Sequence, residues 1–429
     1  MEGLGTQSGF DKEQAQAQEP IPAQERHFKS LYFVAFIVFV DMCGMGLIVP
    51  IMPSLIQGLT GVSVDRAAEI GGLLLFAFAM MQFLFAPVIG GLSDRYGRRP
   101  VMLVTLALLG FDYILMALAP TLAWLFVGRI ISGIMGATWA AANSCVADVI
   151  PSDQRGKAFG LMGAAGAAGF VMGPAIGGIL GHFGDRVPFW AAAAMALGGA
   201  VAGYFLLSET LDKSKRRGFD MKRANPLGNI IQMMKSPLVI GFLGVIFMMQ
   251  LAMQVQLTVW SYYTILKFNW SPLTIGLSVA MFGTLVVLVQ GVLTGKVIAR
   301  FGEVKTGLYG LTLAIPAYII FAFATDGWMM FAAMFIGVGA NMAFPGMQAM
   351  MTRTVAEDSQ GELQGAIASI IGITSIIGPL MMTGIFGMFS DGRGLYFPGA
   401  PFIMAALLIA LAIVQFALTV RRVGRGVAV

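Results

Sequence analysis

Charge is scarce in this chain. Of its 429 residues only 11% are Asp, Glu, Lys or Arg, while 57% are hydrophobic. A soluble domain carries about 25% charged residues. The length would suit two or three soluble domains, but their surfaces need far more charge than this. Histidine and cysteine are scarcer still, with two of each. Cys43 and Cys145 sit inside or beside apolar runs, so neither a disulfide framework nor a metal site is expected. The net charge of +5 is compatible with nucleic acid, but the placement of the basic residues points to a membrane surface instead.

Long apolar runs are what the chain has in quantity. A helix needs roughly 20 apolar residues to cross about 30 Å of hydrocarbon. Twelve such stretches can be drawn: 31–53, 70–91, 100–119, 122–146, 158–180 and 188–207, then 238–263, 273–294, 306–325, 328–351, 364–389 and 397–419. The longest polar interval between them, Ser208 to Ser236, falls between the sixth and seventh. The expected architecture is an all-α membrane protein of twelve transmembrane helices in two six-helix bundles. These occupy 30–208 and 237–420, joined by a cytoplasmic linker at 209–236. Residues 1–29 are polar and aperiodic and read as a disordered tail. A second short tail covers 421–429. The first apolar stretch starts too late and runs too long for a cleaved signal peptide.

Orientation follows from the Lys and Arg residues. Of the 27, 22 fall in the tails and in alternate loops, four (Arg66, Arg186, Lys267 and Arg393) in the intervening loops, and Arg129 within a span. The positive-inside rule then places both termini in the cytoplasm, as expected for a multi-pass protein of the inner cell membrane.

A shift of 205 residues brings Gly90, Arg95 and Gly97 onto Gly295, Arg300 and Gly302. It also brings Gly156, Gly160, Gly173 and Pro174 onto Gly361, Gly365, Gly378 and Pro379. Parallel repeats of this kind are typical of transporters that bind substrate between the halves near the bilayer midplane.

Three motifs carry more specific chemistry. The loop after the second span reads Gly90-Gly-Leu-Ser-Asp94-Arg95-Tyr-Gly97-Arg98-Arg99-Pro100. Its glycines permit a tight turn, and Pro100 suits the start of a helix. A plain positive-inside loop is the simpler alternative. The fifth span contains Gly169-x-x-x-Gly173-Pro174-x-x-Gly177-Gly178. Small residues four apart allow close helix packing, and a proline permits a bend; a static packing face is the alternative. The fourth span contains Gly128-Arg129-Ile-Ile-Ser132-Gly133.

Together these resemble the major facilitator superfamily. From about Leu31 to Val420 the chain resembles the tetracycline/proton antiporters and their relatives. Distinctive stretches are Asp41–Pro53, Met81–Pro100, Phe111-Asp112-Tyr113 and Phe344-Pro345-Gly346-Met347-Gln348. The resemblance implies that Gly90, Asp94, Arg95, Gly97, Arg98 and Arg99 latch the cytoplasmic side in the outward-facing state. The second-half copy has Ala299 in place of the acid, so one full latch is expected. It further implies that the fifth-span motif marks an exporter and that Arg129 is tied to proton transfer.

Ionisable groups inside a bilayer are functional candidates by default. Asp41, Asp112 and Arg129 qualify. Asp112 and Arg129 lie symmetrically about Pro120-Thr121, hence at similar depth. One carboxylate can stay ionised against the arginine while the other takes up and releases a proton; a permanent structural salt bridge is the alternative. The 205-residue equivalents, Ile246, Ala317 and Met334, are not ionisable, which assigns proton coupling to the first half.

Gln82, Trp139, Asn143, Gln250, Gln254, Trp260, Asn341 and Gln348 are candidates to line a substrate cavity. Each of them can equally serve as hydrogen-bond glue between helices. Where the tetracycline pumps carry a histidine in the eighth helix and an acid in the ninth, this chain has Val286 and Ala314. The expected partners are a small amphipathic compound, protons and membrane lipid. No cofactor, metal, nucleic acid or obligate protein partner is expected, and the unit is a monomer. The competing readings are a metabolite carrier on the same fold and a non-transporting sensor. An intramembrane enzyme finds no nucleophile–base pair at membrane depth, and there is no ATP-binding motif.

Overall fold

A computed structural model of the chain describes residues 23–136, 138–151, 154–216, 218, 237–356 and 359–426. Among these residues the regular structure is helical, with no strand. Hydrocarbon offers the backbone no water, so each N–H and C=O must be paired within its own segment, which a helix achieves. Among the described residues ten helical segments are long and apolar enough to cross a membrane, and Leu122–Met135 is a shorter apolar helix. The chain is an integral multi-pass membrane protein.

The first half contains α1 (Ala23–Ile48), α2 (Met52–Thr60), α3 (Val64–Tyr96), α4 (Arg98–Leu118), α5 (Leu122–Met135), α6 (Thr138–Val149), α7 (Arg155–Gly181) and α8 (Val187–Leu206). The second contains α9 (Pro237–Thr258), α10 (Trp260–Phe268), α11 (Pro272–Leu288), α12 (Thr294–Phe323), α13 (Gly327–Gly337), α14 (Ala343–Thr354), α15 (Gln360–Ser390) and α16 (Ala400–Gly426).

Several spans expected to be continuous are broken. The first ends at Ile48 and resumes as α2, with Pro50 in the turn and Pro53 in the first turn of the new helix; proline cannot donate within a helix interior. The fourth divides after Gly136 into α5 and α6. The eighth and ninth merge through a π-helical turn, Val289–Leu293, and the backbone breaks instead at Gly302 (φ 79°). Hydropathy measures the length of an apolar run and is blind to such breaks. Of the expected tail over 1–29, residues 1–22 lie outside the described residues, and α1 already begins at Ala23. Of the expected linker 209–236, residues 217 and 219–236 lie outside them, as do the last residues 427–429.

Within the first half α1 packs on α7 and α8, α4 on α8, and α3 on α5. Within the second, α9 packs on α15 and α16, and α12 on α13 and α16. Two seams join the halves, α7 against α11 and α3 against α15.

Glycine sets how closely these helices approach. On α7, Gly169, Gly173 and Gly177 face the α1 backbone at Phe39, Cys43 and Leu47, spaced four apart on both sides. A Cβ on Gly173 would stand 2.6 Å from the Cys43 carbonyl oxygen. Lipid removes the hydrophobic drive between helices, so contact this close is what holds them. The Pro174 carbonyl and Gly178 face the other way, across the seam: Gly276 of α11 abuts that carbonyl, and Gly178 abuts Pro272. In the α3–α15 seam, a Cβ on Gly72 would lie 3.1 Å from the Pro379 carbonyl oxygen. The 205-residue shift relates Pro174 to Pro379, so both seams set the carbonyl of a repeat-related proline against a glycine.

These seam contacts lie toward the end of the molecule remote from the two termini. At the end carrying the termini, a Cβ on Gly90, Gly156, Gly160, Gly295 or Gly361 would meet nothing within 4 Å. The glycine contacts described here thus join the halves at the end remote from the termini.

Candidate functional site

Three charged side chains converge inside the first half. Asp41 on α1, Asp112 on α4 and Arg129 on α5 are 6%, 2% and 5% exposed. Asp41 and Arg129 line one small recess together with Gln82, Tyr113 and Ser132. Gly128 allows the approach of α5 to α4, since a Cβ there would be 2.5 Å from Met116 Cγ and 3.1 Å from Asp112 Oδ1. Ser132 donates to Asp112 Oδ2, while Oδ1 is buried without a partner. Arg129 directs Nη2 at Met116 Sδ, 3.0 Å away. Its Cζ lies 5.7 Å from the centre of the Phe78 ring, and its Nε is buried without a partner.

No ion pair within 4.0 Å joins Arg129 to Asp41 or Asp112. The salt bridge that would make these charges merely structural is open in this arrangement. Buried charges left with unused hydrogen-bonding positions are costly. Either a proton or a change of partner relieves that cost.

Arg129 and Gln82 also line a central chamber of about 230 Å³. Its wall draws Met45, Leu74 and Phe78 from the first half and Gln254, Ser261, Tyr262 and Ser375 from the second. Gln82 donates to the Gly136 carbonyl at 3.0 Å and Gln254 to Ser375 Oγ at 3.3 Å. A second chamber of about 240 Å³ lies between α7 and α9–α11, and Trp260, Val286 and Asn341 are among its lining residues. Ala314 lines a smaller recess that shares Gln256 and Asn341 with it.

Of the eight cavity candidates, Gln82 and Gln254 reach the central chamber and Trp260 and Asn341 the second. Trp139, Asn143, Gln250 and Gln348 line neither. The Trp139 ring covers Gly166 of α7, where a Cβ would come within 2.8 Å of it. Gln348 donates to Gln364 at 3.2 Å. Gln250 is one turn before Gln254, beyond the chamber wall. Two further polar residues take part, Ser132 and Gln256. Ser132 is three residues after Arg129 on the same helix face, a spacing visible in sequence. Gln256 gave no such signal, because its neighbour Gln254 faces the other chamber.

The loop between α3 and α4 turns at Gly97 (φ 109°). Arg98 holds Asp94 at 2.6 Å and Asp148 of α6 at 2.9 Å, and donates to Ser93 Oγ at 3.1 Å. Its backbone N–H donates to Glu209 at 2.9 Å, capping α4. Arg99 donates instead to the Tyr204 carbonyl at 2.5 Å, and Arg95 lies over the Tyr96 ring. In the second half, Ala299 leaves the Asp94 position empty of charge, yet Glu303 pairs with Arg353 at 2.8 Å. Glu303 and Arg353 are the 205-residue counterparts of Arg98 and Asp148.

Residues 34–266 and 242–427 match the family model of the Major Facilitator Superfamily. The chain is 40% identical over 349 residues to the tetracycline resistance protein, class C, of Escherichia coli, covering 81% of this chain and 87% of that protein. It is 38% identical over 358 residues to the class G protein of Vibrio anguillarum, covering 83% and 90%. A solved structure similar in fold is a bacterial homolog of the human lysosomal transporter Spinster, in an inward-facing and occupied conformation. It has a TM-score of 0.74 at 18% identity, covering 91% of this chain and 96% of that one. This chain belongs to the major facilitator superfamily, among the tetracycline resistance proteins, and is a membrane transporter of small molecules rather than an enzyme.

Proposed function

We propose that this transporter exports a small amphipathic, tetracycline-like organic compound across the inner membrane in exchange for protons, by alternating access. The observation that carries the reading is the position of Arg129. It stands in the wall of the chamber that opens between the halves and in the wall of the recess holding Asp41. A proton taken up by Asp41 or Asp112 changes the charge facing Arg129, and with it the electrostatics of the cargo chamber. One group thus senses both transported species, as antiport requires.

The path count supports twelve crossings in two six-helix bundles. The ten long segments become twelve when Leu122–Val149 is taken as one interrupted crossing and Pro272–Phe323 as two, divided at Gly302. With both termini cytoplasmic, as the Lys and Arg distribution favours, the end joined by the seam glycines is the outer one, which favours an inward-open arrangement. In the opposite state the seam glycines part and the loops bearing Asp94 and Arg98, and Glu303, approach the other half. Protons and surrounding lipid are then its partners, and one chain suffices.

Everted membrane vesicles from a pump-deleted bacterium test this. Wild-type vesicles should accumulate tetracycline or a related drug when acidified inside, and a proton ionophore should abolish accumulation. Accumulation that persists with ionophore, or follows a sodium gradient, would overturn proton exchange. The alternative is a metabolite carrier on the same fold, since Val286 and Ala314 stand where the tetracycline pumps carry a histidine and an acid.

A further inference from the structure

The second chamber takes no part in the coupling described above, and its chemistry differs from that of the central one. None of the residues lining it is charged. Three rings face it, Phe170 from α7, Trp260 from α10 and Phe282 from α11. The Trp260 N–H is already committed to Ser278 Oγ at 3.0 Å, so that ring offers the chamber only its apolar surface. Polar atoms come from the amides of Gln256 and Asn341, which stand where the smaller recess continues from it.

Phe170 and Leu257 belong to the walls of both chambers. The two spaces are neighbours that share those side chains in their walls, and the charge, Arg129, lies in the wall of the central one. A charged group entering the second chamber would shed its water and meet no counter-charge. A flat apolar group would instead gain contact with three aromatic rings, while two amides fix its orientation. Mostly apolar walls with a few placed polar groups are the usual make-up of a small-molecule pocket.

We infer that this chamber is a second ligand subsite, which takes the uncharged aromatic portion of the cargo while its polar or ionisable portion stays in the central chamber. The cargo is accordingly a two-part molecule, a planar neutral ring system joined to a polar head. Compact polyols and multiply charged metabolites are excluded from the second chamber. The inference relies on the export reading for the identity of the cargo, but the binding of a neutral ring system does not depend on it.

The test is a fluorescence titration of the full chain in lipid nanodiscs with N-phenyl-1-naphthylamine, an uncharged aromatic probe, corrected against empty nanodiscs. Val286→Asp, which places a charge in the wall, should weaken binding at least tenfold relative to Val286→Asn, which matches its shape without the charge. Equal affinities in the two would overturn the subsite. If Val286→Asp does not fold, Phe282→Ala serves, and it should weaken binding more than Gln82→Ala in the central chamber; the reverse order would overturn it. Phospholipid retained there in native mass spectrometry and not displaced by the probe would also overturn it. A probe bound as expected but not exported from cells supports the subsite and contradicts the export reading.

Discussion

Glu303 and Arg353 stand 2.8 Å apart at the positions that Arg98 and Asp148 occupy one repeat earlier, so the second half carries the same ion pair with its charges exchanged. The two pairs differ in environment. The Arg98 side chain is 8% exposed, whereas that of Arg353 is 76% exposed. An exposed pair adds only about 0–1 kcal/mol, whereas loss of Arg98 leaves three acceptors, Asp94, Asp148 and Ser93, without their donor.

Stability should therefore fall sharply in Arg98→Gln and hardly at all in Arg353→Gln, measured as melting temperature by fluorescence-detected size exclusion. A several-fold loss of efflux in Arg353→Gln at normal melting temperature would then report gating. The exchanged pair Glu303→Arg with Arg353→Glu should restore more than half of it. No recovery would mean the pair acts by something other than mutual charge.

The glycine stripe predicts a contrast along the molecule. Gly173→Val forces side-chain atoms into the Cys43 carbonyl and the Gly46 backbone. Overpacking of this kind costs about 1–3 kcal/mol, visible as lost expression and a lower melting temperature. Gly90→Ala meets open space in this arrangement and should fold normally. Any transport defect in it arises in the opposite state, where the halves close over it.

Backbone conformation predicts a second contrast. Gly97 and Gly302 both hold φ values suited to glycine, 109° and 79°, and a Cβ at either costs about 1–3 kcal/mol. At Gly97 that Cβ would also collide with Glu209, which caps α4, whereas at Gly302 it meets nothing within 4 Å. Gly97→Ala should lower the melting temperature more than Gly302→Ala. An equal drop would show that Glu209 yields at no cost.

Ser132 holds one oxygen of Asp112, and Asp112 Oδ1 has no partner. Ser132→Ala leaves both oxygens without a donor, so proton-driven efflux should fall several-fold, while Ser132→Thr, which keeps the hydroxyl, should retain most of it. Equal activity in the two variants would remove Ser132 from the coupling.

Much of this was legible in the sequence because the bilayer leaves few options. An apolar run near 20 residues must be a helix, and an Asp within it must have a reason. Asp41, Asp112 and Arg129 stood out for that cause, and their depth followed from counting residues. What counting could not give was the pairing state. Whether Arg129 bridges a carboxylate depends on ångström-scale approach at Gly128 and on Met116 taking its Nη2, neither of which has a periodicity. The cavity candidates divided for a similar reason: a Gln in an apolar helix faces a chamber or a neighbouring helix according to a rotation that hydropathy does not encode. The Glu303–Arg353 pair leaves no trace among identical residues, because here the repeat is preserved by exchanged charges.

The central claim is that the first-half carboxylates carry the proton. Its most direct measurement is the rate of drug uptake into everted vesicles driven by an imposed pH gradient, with wild type, Asp41→Asn and Asp112→Asn at matched expression. Each single variant should lose at least tenfold of gradient-driven uptake while still binding the drug. Full gradient-driven uptake in both would contradict the account.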